Sequence, residues 1–425
     1  MKNRNLFYNA SKKFGSAGKW ICIGMLLVSL LLTSCGKNDL GDKLVPTPLT
    51  WEMIDAIPVA TDDMTEEELR QICVDYFRLQ ISFQWSPKED LDYLITGYKK
   101  QTSFPAGVKY AGLPYMCTSS GYITGNLYIA MDYYDPATGL MDNSGMADQV
   151  FAERIGNNCS GGSFWGWARV VNSVTDHTCR SATETFGFIP LGSYDYHGVM
   201  KWTNAYTTID ACEENGKQVM YEAYALAQPA DGLVVHRGGG GDAHMRMVSQ
   251  TAVVERLPDG TIDGNKSYLV YLDQTSGKSD TTIDGYDFKI QGGLDRKITF
   301  SDLYTKGYVP FTFAELIGED PVEPAEVALD LKNPESATVT DLYRSKLSAN
   351  YAISHTTLTV QDKKGNEVYS NTYYSPEHNL RQTPMLTLIN RDELAPCVNG
   401  DYTVTIACRV GTGQNLIAYS GALVE

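Results

Sequence analysis

The chain is short of positive charge: Lys and Arg total 35 against 51 Asp and Glu, a formal net charge of −16. No basic stripe is present to neutralise phosphates, which argues against a nucleic-acid partner. Histidine is scarce too, with six residues in all. His177, Cys179 and His197 lie near one another in sequence but match no familiar zinc spacing, so neither a metal nor a cofactor is expected. The apolar run Ile21 to Leu32 is too short to read as a membrane-spanning helix. What is present is core material. A hydrophobic content of 43% over 425 residues suits two folded domains, expected to be monomeric.

The N-terminus reads as an export signal spanning residues 1–34. Lys2, Arg4, Lys12, Lys13 and Lys19 form a basic region ahead of the short apolar run. Leu32-Thr33-Ser34-Cys35-Gly36 then resembles a bacterial lipobox, making Cys35 the lipid-modified first residue of the mature protein. Gly36 after that cysteine, rather than Asp, argues by analogy for the outer membrane, facing the periplasm or the surface. Residues 35–61, with Pro46 and Pro48, read as a tether. Setting aside Cys22, Cys35 and Cys159 leaves Cys73, Cys117, Cys179, Cys212, Cys397 and Cys408. An even remainder in an exported protein permits disulfides, with Cys397–Cys408 and Cys179–Cys212 the pairs suggested by position.

Thr65 to Leu79 has a helix signature: Thr65 caps, acidic residues fill the first turn, and Leu69, Ile72, Cys73 and Tyr76 form a stripe. Trp85 to Lys99 is read as a second helix starting at Ser86-Pro87, with Leu91, Leu94 and Ile95 inward. The stretch from Ile155 to Val170 carries the chemistry. Cys159 sits at a turn of small polar residues, and Phe164, Trp165, Trp167 and Ala168 follow at helical spacing. Asn158 or Ser160 would cap that helix with Cys159 in its first turn. A helix N-terminus favours a thiolate, and its free N–H groups can receive an oxyanion. Without a base elsewhere, a packed thiol would be the simpler reading.

A base follows. The segment Ser173 to Tyr221 reads as a surface insertion with short strands. Ala227 to Arg237 is a turn feeding a strand, and Gly238 to Gly241 is a flexible loop. His244 then opens the next strand, and Ser267 to Thr275 returns antiparallel after a turn at Pro258-Asp259-Gly260. Asp273, or failing that Gln274, comes back alongside His244 where it could fix the imidazole.

In this order the motifs resemble those of the NlpC/P60 cysteine peptidases, which have a permuted papain-like fold. Gly112-Leu113-Pro114-Tyr115 is similar to the family's glycine-x-proline-tyrosine element, and Asn158-Cys159-Ser160-Gly161 to its Asp-Cys-Ser-Gly motif. Gln228-Pro-Ala-Asp-Gly-Leu-Val-Val235 resembles the strand element before the histidine, and Leu272-Asp273 occupies the place of the third polar residue. The resemblance covers residues 62–316, with the insertion at about 173–221. It implies an α+β domain of helices on an antiparallel sheet. It also implies hydrolysis of amides in peptidoglycan stem peptides, typically after a γ-linked D-glutamyl residue. Cys159 would be nucleophile, His244 base and acid, Asp273 orienter, and Tyr115, Asn158 and Ser160 the substrate-binding set. Three departures stand out. Asn158 replaces the aspartate that receives the substrate's amino terminus, Met116-Cys117-Thr118 replaces tryptophan-glycine-glycine, and the insertion is long. No SH3-like targeting stretch is visible.

Residues 317–326 read as a linker, and residues 327–425 as an immunoglobulin-like β-sandwich. Ala337 to Leu342, Thr356 to Val360, Pro384 to Ile389 and Tyr402 to Arg409 are its clearest strands. The alternative to a lipid-anchored cysteine hydrolase is a surface binding or adhesion lipoprotein on a catalytically degenerate version of the same fold.

Overall fold

Thr65 opens the Glu66–Ser82 helix with a capping box, its hydroxyl accepting from Glu68 N while the Glu68 carboxylate receives Thr65 N–H. Leu69, Ile72, Cys73, Tyr76 and Phe77 on that helix are buried against the main core. The computed structural model describes residues 45–118, 125–174, 187–196, 206–238, 243–374, 381–398 and 401–424. The proposed signal, Cys35, His177, Cys179 and His197 fall outside the described residues. Residues 45–61 do not run free as a tether would. Val45, Leu49 and Ile54 are buried, and Trp51–Asp55 forms a short helix capped by Thr50.

The architecture is α+β. One sheet, of ten strands among the described residues, backs the helices. Its centre is an antiparallel run in which Tyr286–Thr299 pairs Tyr268–Ile283, then Ala243–Val253, then Gly232–His236, then Val309–Thr312. The return of Ser267 to Thr275 beside the His244 strand is therefore as expected, with Leu272 opposite Met247. The Cys159–Trp167 helix is buried along its whole length. A Cβ on Gly166 would lie 2.8 Å from Met247 Cε and 3.0 Å from Phe77 Cβ, so glycine permits the close helix packing here.

Trp85 to Lys99 is not a helix. Gln84–Pro87 and Leu91–Ile95 are strands, the latter paired to Lys100–Phe104 as a hairpin. Leu91, Tyr93 and Ile95 are buried while Leu94 is 37% exposed. The period is two, and Pro87 ends a strand instead of starting a helix. Within 173–221, the described part has one short strand as expected, Ile189–Pro190, paired with Val309–Thr312, but also helices: Thr208–Asn215 with its own capping box at Thr207, and Lys217–Ala225.

Beyond residue 326, three strands (Val327–Leu329, Lys346–Ala349, Gln382–Pro384) and four strands (Ile353–Asp362, Glu367–Tyr374, Tyr402–Val410, Asn415–Gly421) form two sheets with a separate core. Val404, Ile406 and Cys408 face inward with the expected alternation. Ala337 to Leu342, however, mostly joins a helix, Val339–Arg344, because Thr338 and Asp341 make a capping box. Pro384 to Ile389 leaves the sheet at once for a 3-10 turn, Met385–Thr387. Cys397 and Cys408 are free thiols, as is Cys212, so neither suggested disulfide forms with them. This part is docked on the first: Tyr351 Oη donates to Val170 O at 3.3 Å, and Ser354 Oγ donates to Asn126 Oδ1 at 3.0 Å.

Candidate active site

Asn158 is the cap, and Cys159 is the first residue of its helix. Asn158 Oδ1 accepts the Gly161 N–H at 2.7 Å and the Ser160 hydroxyl at 3.1 Å. Both acceptor directions of that amide oxygen are thereby occupied. The helix is locked from below. Trp167 Nε1 donates to Ala230 O at 2.6 Å, and Ser163 Oγ donates to Cys159 O at 3.1 Å. Tyr115 reaches the same place through backbone pairing: Asn157 N donates to Pro114 O at 3.0 Å and Met116 N to Asn157 O at 2.9 Å. Its hydroxyl lies 3.1 Å from that of Tyr98. Burial, the neighbouring Cys159 and Tyr98 together hold the Tyr115 phenol well above its usual range.

His244 stands across from the thiol on its strand. Its Nε2 lies 2.9 Å from Asp273 Oδ2, and its side chain also hydrogen-bonds Cys159. Burial pushes the His244 pKa down, but the side chain keeps 19% exposure, and Cys159 and Asp273 outweigh that effect and raise it to about 9. A thiolate at Cys159 would thus favour the imidazolium form of His244. Asp273 has a side chain only 2% exposed; burial works to raise its pKa, but His244 and Arg246 hold the carboxyl below its ordinary value.

The thermodynamic consequence has a definite sign. A histidine whose pKa rises on folding from 6.5 to about 9 stabilises the fold fully below 6.5, and that contribution disappears as pH passes about 9. His244→Gln is accordingly expected to lose stability relative to the parent at pH 6, with the gap closing toward pH 10, measured by urea unfolding.

Asp273 is chosen over Gln274 by a local irregularity. Opposite them, Tyr271 pairs Arg296 but Asp273 pairs Gly293, so the Tyr286–Thr299 strand carries an extra residue there, and Asp295 takes a left-handed φ of 49°. Gln274 points elsewhere, its Nε2 donating to Leu113 O at 2.8 Å. A Cβ on Gly293 would fall 2.6 Å from Asp273 Oδ1. Gly293→Ala should therefore displace the carboxylate from His244 and slow alkylation of Cys159 roughly 10–100-fold with a modest loss of stability. Iodoacetamide labelling rates beside thermal unfolding would check this.

Two residues here were not apparent from sequence. Arg246 donates from Nε to Asp273 Oδ2 at 3.2 Å. Cys117 has its thiol pushed up to about 11 by burial and by the nearby Cys159, and is hydrogen-bonded by Asn158 and Tyr98. Strand alternation puts Arg246 on the His244 face, which was the available signal for it. For Cys117 there was only its closeness in sequence to Tyr115. Among the described residues no group of three or more His, Cys, Asp or Glu side chains is placed to hold a metal ion. The arrangement brings together Cys159, His244, Asp273, Tyr115, Asn158 and Ser160. No family model matches the chain, and no match emerges among curated proteins or solved structures.

Proposed function

We propose that the protein is a cysteine hydrolase of amide bonds, with Cys159 as nucleophile, His244 as acid and base, and Asp273 as orienter. The observation carrying this reading is the single chain of contacts from the Cys159 thiol through His244 to Asp273 Oδ2 at 2.9 Å. A thiolate paired with an imidazolium attacks the amide carbon. The tetrahedral oxyanion is received by N–H groups at the helix start, where losing one donor costs about 3 kcal/mol. His244 then gives its proton to the leaving amine as the C–N bond breaks, and takes one back from the water that hydrolyses the thioester. Asp273 holds the ring in one orientation throughout.

The finer reading is an NlpC/P60-like permuted papain fold followed by an immunoglobulin-like sandwich, on an exported chain lipidated at Cys35 and held in the outer membrane. Its substrates would be peptidoglycan stem peptides. The ordered motifs from Gly112 to Asp273 support it. Asn158 alters recognition in this scheme: it carries no negative charge, and its oxygen is committed to Gly161 and Ser160, so a free ammonium finds no carboxylate there. Incubation of the protein with purified stem peptides, their products read by mass spectrometry, tests the substrate class. Cleavage locates the bond, and cleavage of other amides alone overturns the stem-peptide assignment.

The second reading, a binding lipoprotein without turnover, is favoured by one fact. Cys159, Asn158 and Ser160 are only 4%, 5% and 4% exposed, so substrate has little purchase on them. A glycan or peptide that binds tightly and is never cut would establish that reading instead.

A further inference from the structure

Arg246 follows His244 by two positions on the Ala243–Val253 strand, so both side chains leave the same face. Its guanidinium carbon lies 4.1 Å from the Tyr271 ring centroid and 4.6 Å from that of Tyr308. Held by these two rings, it donates from Nε to Asp273 Oδ2 at 3.2 Å, the oxygen that His244 Nε2 also meets at 2.9 Å. The side chain is 12% exposed. Nη1 is buried and makes no hydrogen bond among the described residues, so that arm of the guanidinium is not spent on bridging the backbone.

The geometry points to Arg246 as a positioning residue for the reaction, one that keeps Asp273 ionised and aimed at His244 through the whole catalytic cycle; this role rests on the hydrolase reading. The need arises from chemistry. His244 is cationic when it pairs with the thiolate and neutral after it has protonated the leaving amine. A carboxylate with a side chain 2% exposed, left beside a neutral imidazole, would take up a proton or turn away. Arginine does not lose its charge, so it supplies a constant counter-ion while histidine alternates. The tyrosine faces take the place of water around the guanidinium and stop it from swinging to solvent. Other groups facing this cluster are Arg296 from the neighbouring strand, which acts on Asp273 electrostatically, and Cys159, which acts on His244. Neither replaces the Nε bond. Arg296 extends instead to Ser279 Oγ at 3.1 Å.

The test needs no substrate. In the full chain, the rate of Cys159 carboxymethylation by iodoacetamide is followed against pH for the parent, Arg246→Met, Arg246→Lys, Asp273→Asn and the Arg246→Met/Asp273→Asn double variant, with thermal unfolding of each. The parent should react at neutral pH. Arg246→Met should react about tenfold more slowly at pH 6, its midpoint displaced upward by about one pH unit. Arg246→Lys, which keeps the charge without the flat fork, should shift less than Asp273→Asn. Adding Arg246→Met to Asp273→Asn should change the profile no further, because the arginine acts through that carboxylate. A parental profile in Arg246→Met with only a lower Tm, or independent multiplication of the two single effects, overturns the role. An ordinary thiol profile in the parent itself would overturn the hydrolase reading, a result separable from the other two.

Discussion

Replacing Cys159 with alanine is expected to remove the proposed amide hydrolysis, with kcat/KM falling on the order of 10⁴-fold or more while the fold is retained. The size of the effect follows from the division of labour. Oxyanion donors and binding contacts remain, but no bond to the acyl carbon can form, and the imidazolium has no thiolate partner. Alanine is tolerated structurally because the site is a helix N-terminus capped by Asn158, whose bond to Gly161 N does not involve the thiol. The parent should also show a selective thiol. Burial pushes Cys212 and Cys408 up to about 12, and Cys73 further still. Cys117 rises to about 11. These thiols stay protonated at neutral pH, whereas Cys159 hydrogen-bonds His244, whose raised pKa favours a thiolate beside it. Brief treatment with iodoacetamide at pH 7, mapped by peptide mass spectrometry, should therefore label Cys159 ahead of all of them. Equal labelling of Cys159 and Cys117, or none at Cys159, would count against the nucleophile.

The elements of this site were legible wherever local rules and long-range packing agreed. Small polar residues flanking Cys159 before a buried aromatic run gave the helix and the position of Cys159, while the cap stayed open between Asn158 and Ser160 until the structure gave Asn158. The glycine-rich turn and two hydrophobic strands gave His244 and its returning neighbour. The choice between Asp273 and Gln274 was only half legible, because side-chain facing depends on the extra residue near Asp295, and an irregular strand pair leaves no period to read. Arg246 was missed for a plain reason: a cation on a strand ordinarily marks the solvated face. Tyr308, which covers it, lies far along the chain. Trp85 to Lys99 failed through period, since Leu91, Leu94 and Ile95 fit a helix as well as Leu91, Tyr93 and Ile95 fit a strand. Only pairing with Lys100–Phe104 decides. Ala337 to Leu342 failed because a capping box at Thr338 outweighed the surrounding strand pattern.

Arg70→Met is expected to destabilise the protein by about 3–5 kcal/mol, the second large effect and one that reaches the site from outside it. Arg70 Nη1 meets Asp231 Oδ1 at 2.7 Å and Pro229 O at 2.8 Å, and the Asp231 side chain is fully buried. Burial already raises the Asp231 pKa, with Arg70 the main opposing influence. Removing the guanidinium strands a carboxylate in the core. The folded carboxyl then holds its proton to higher pH than the unfolded one, so the penalty is full at neutral pH and shrinks as pH falls through the raised folded pKa. Urea unfolding of the parent and Arg70→Met at pH 7 and pH 5 should show this narrowing. The double variant Arg70→Met/Asp231→Asn should regain much of the loss, because an amide oxygen can still accept the Gln228 N–H that Asp231 Oδ2 now takes at 2.8 Å. Activity should track the same chemistry. Asp231 immediately precedes the Gly232–His236 strand, whose Val235 pairs His244, so a shift of that turn moves the proposed base, His244, away from Cys159. The pair ties the Glu66–Ser82 helix, on which the nucleophile helix packs, to the strand that carries the imidazole into register.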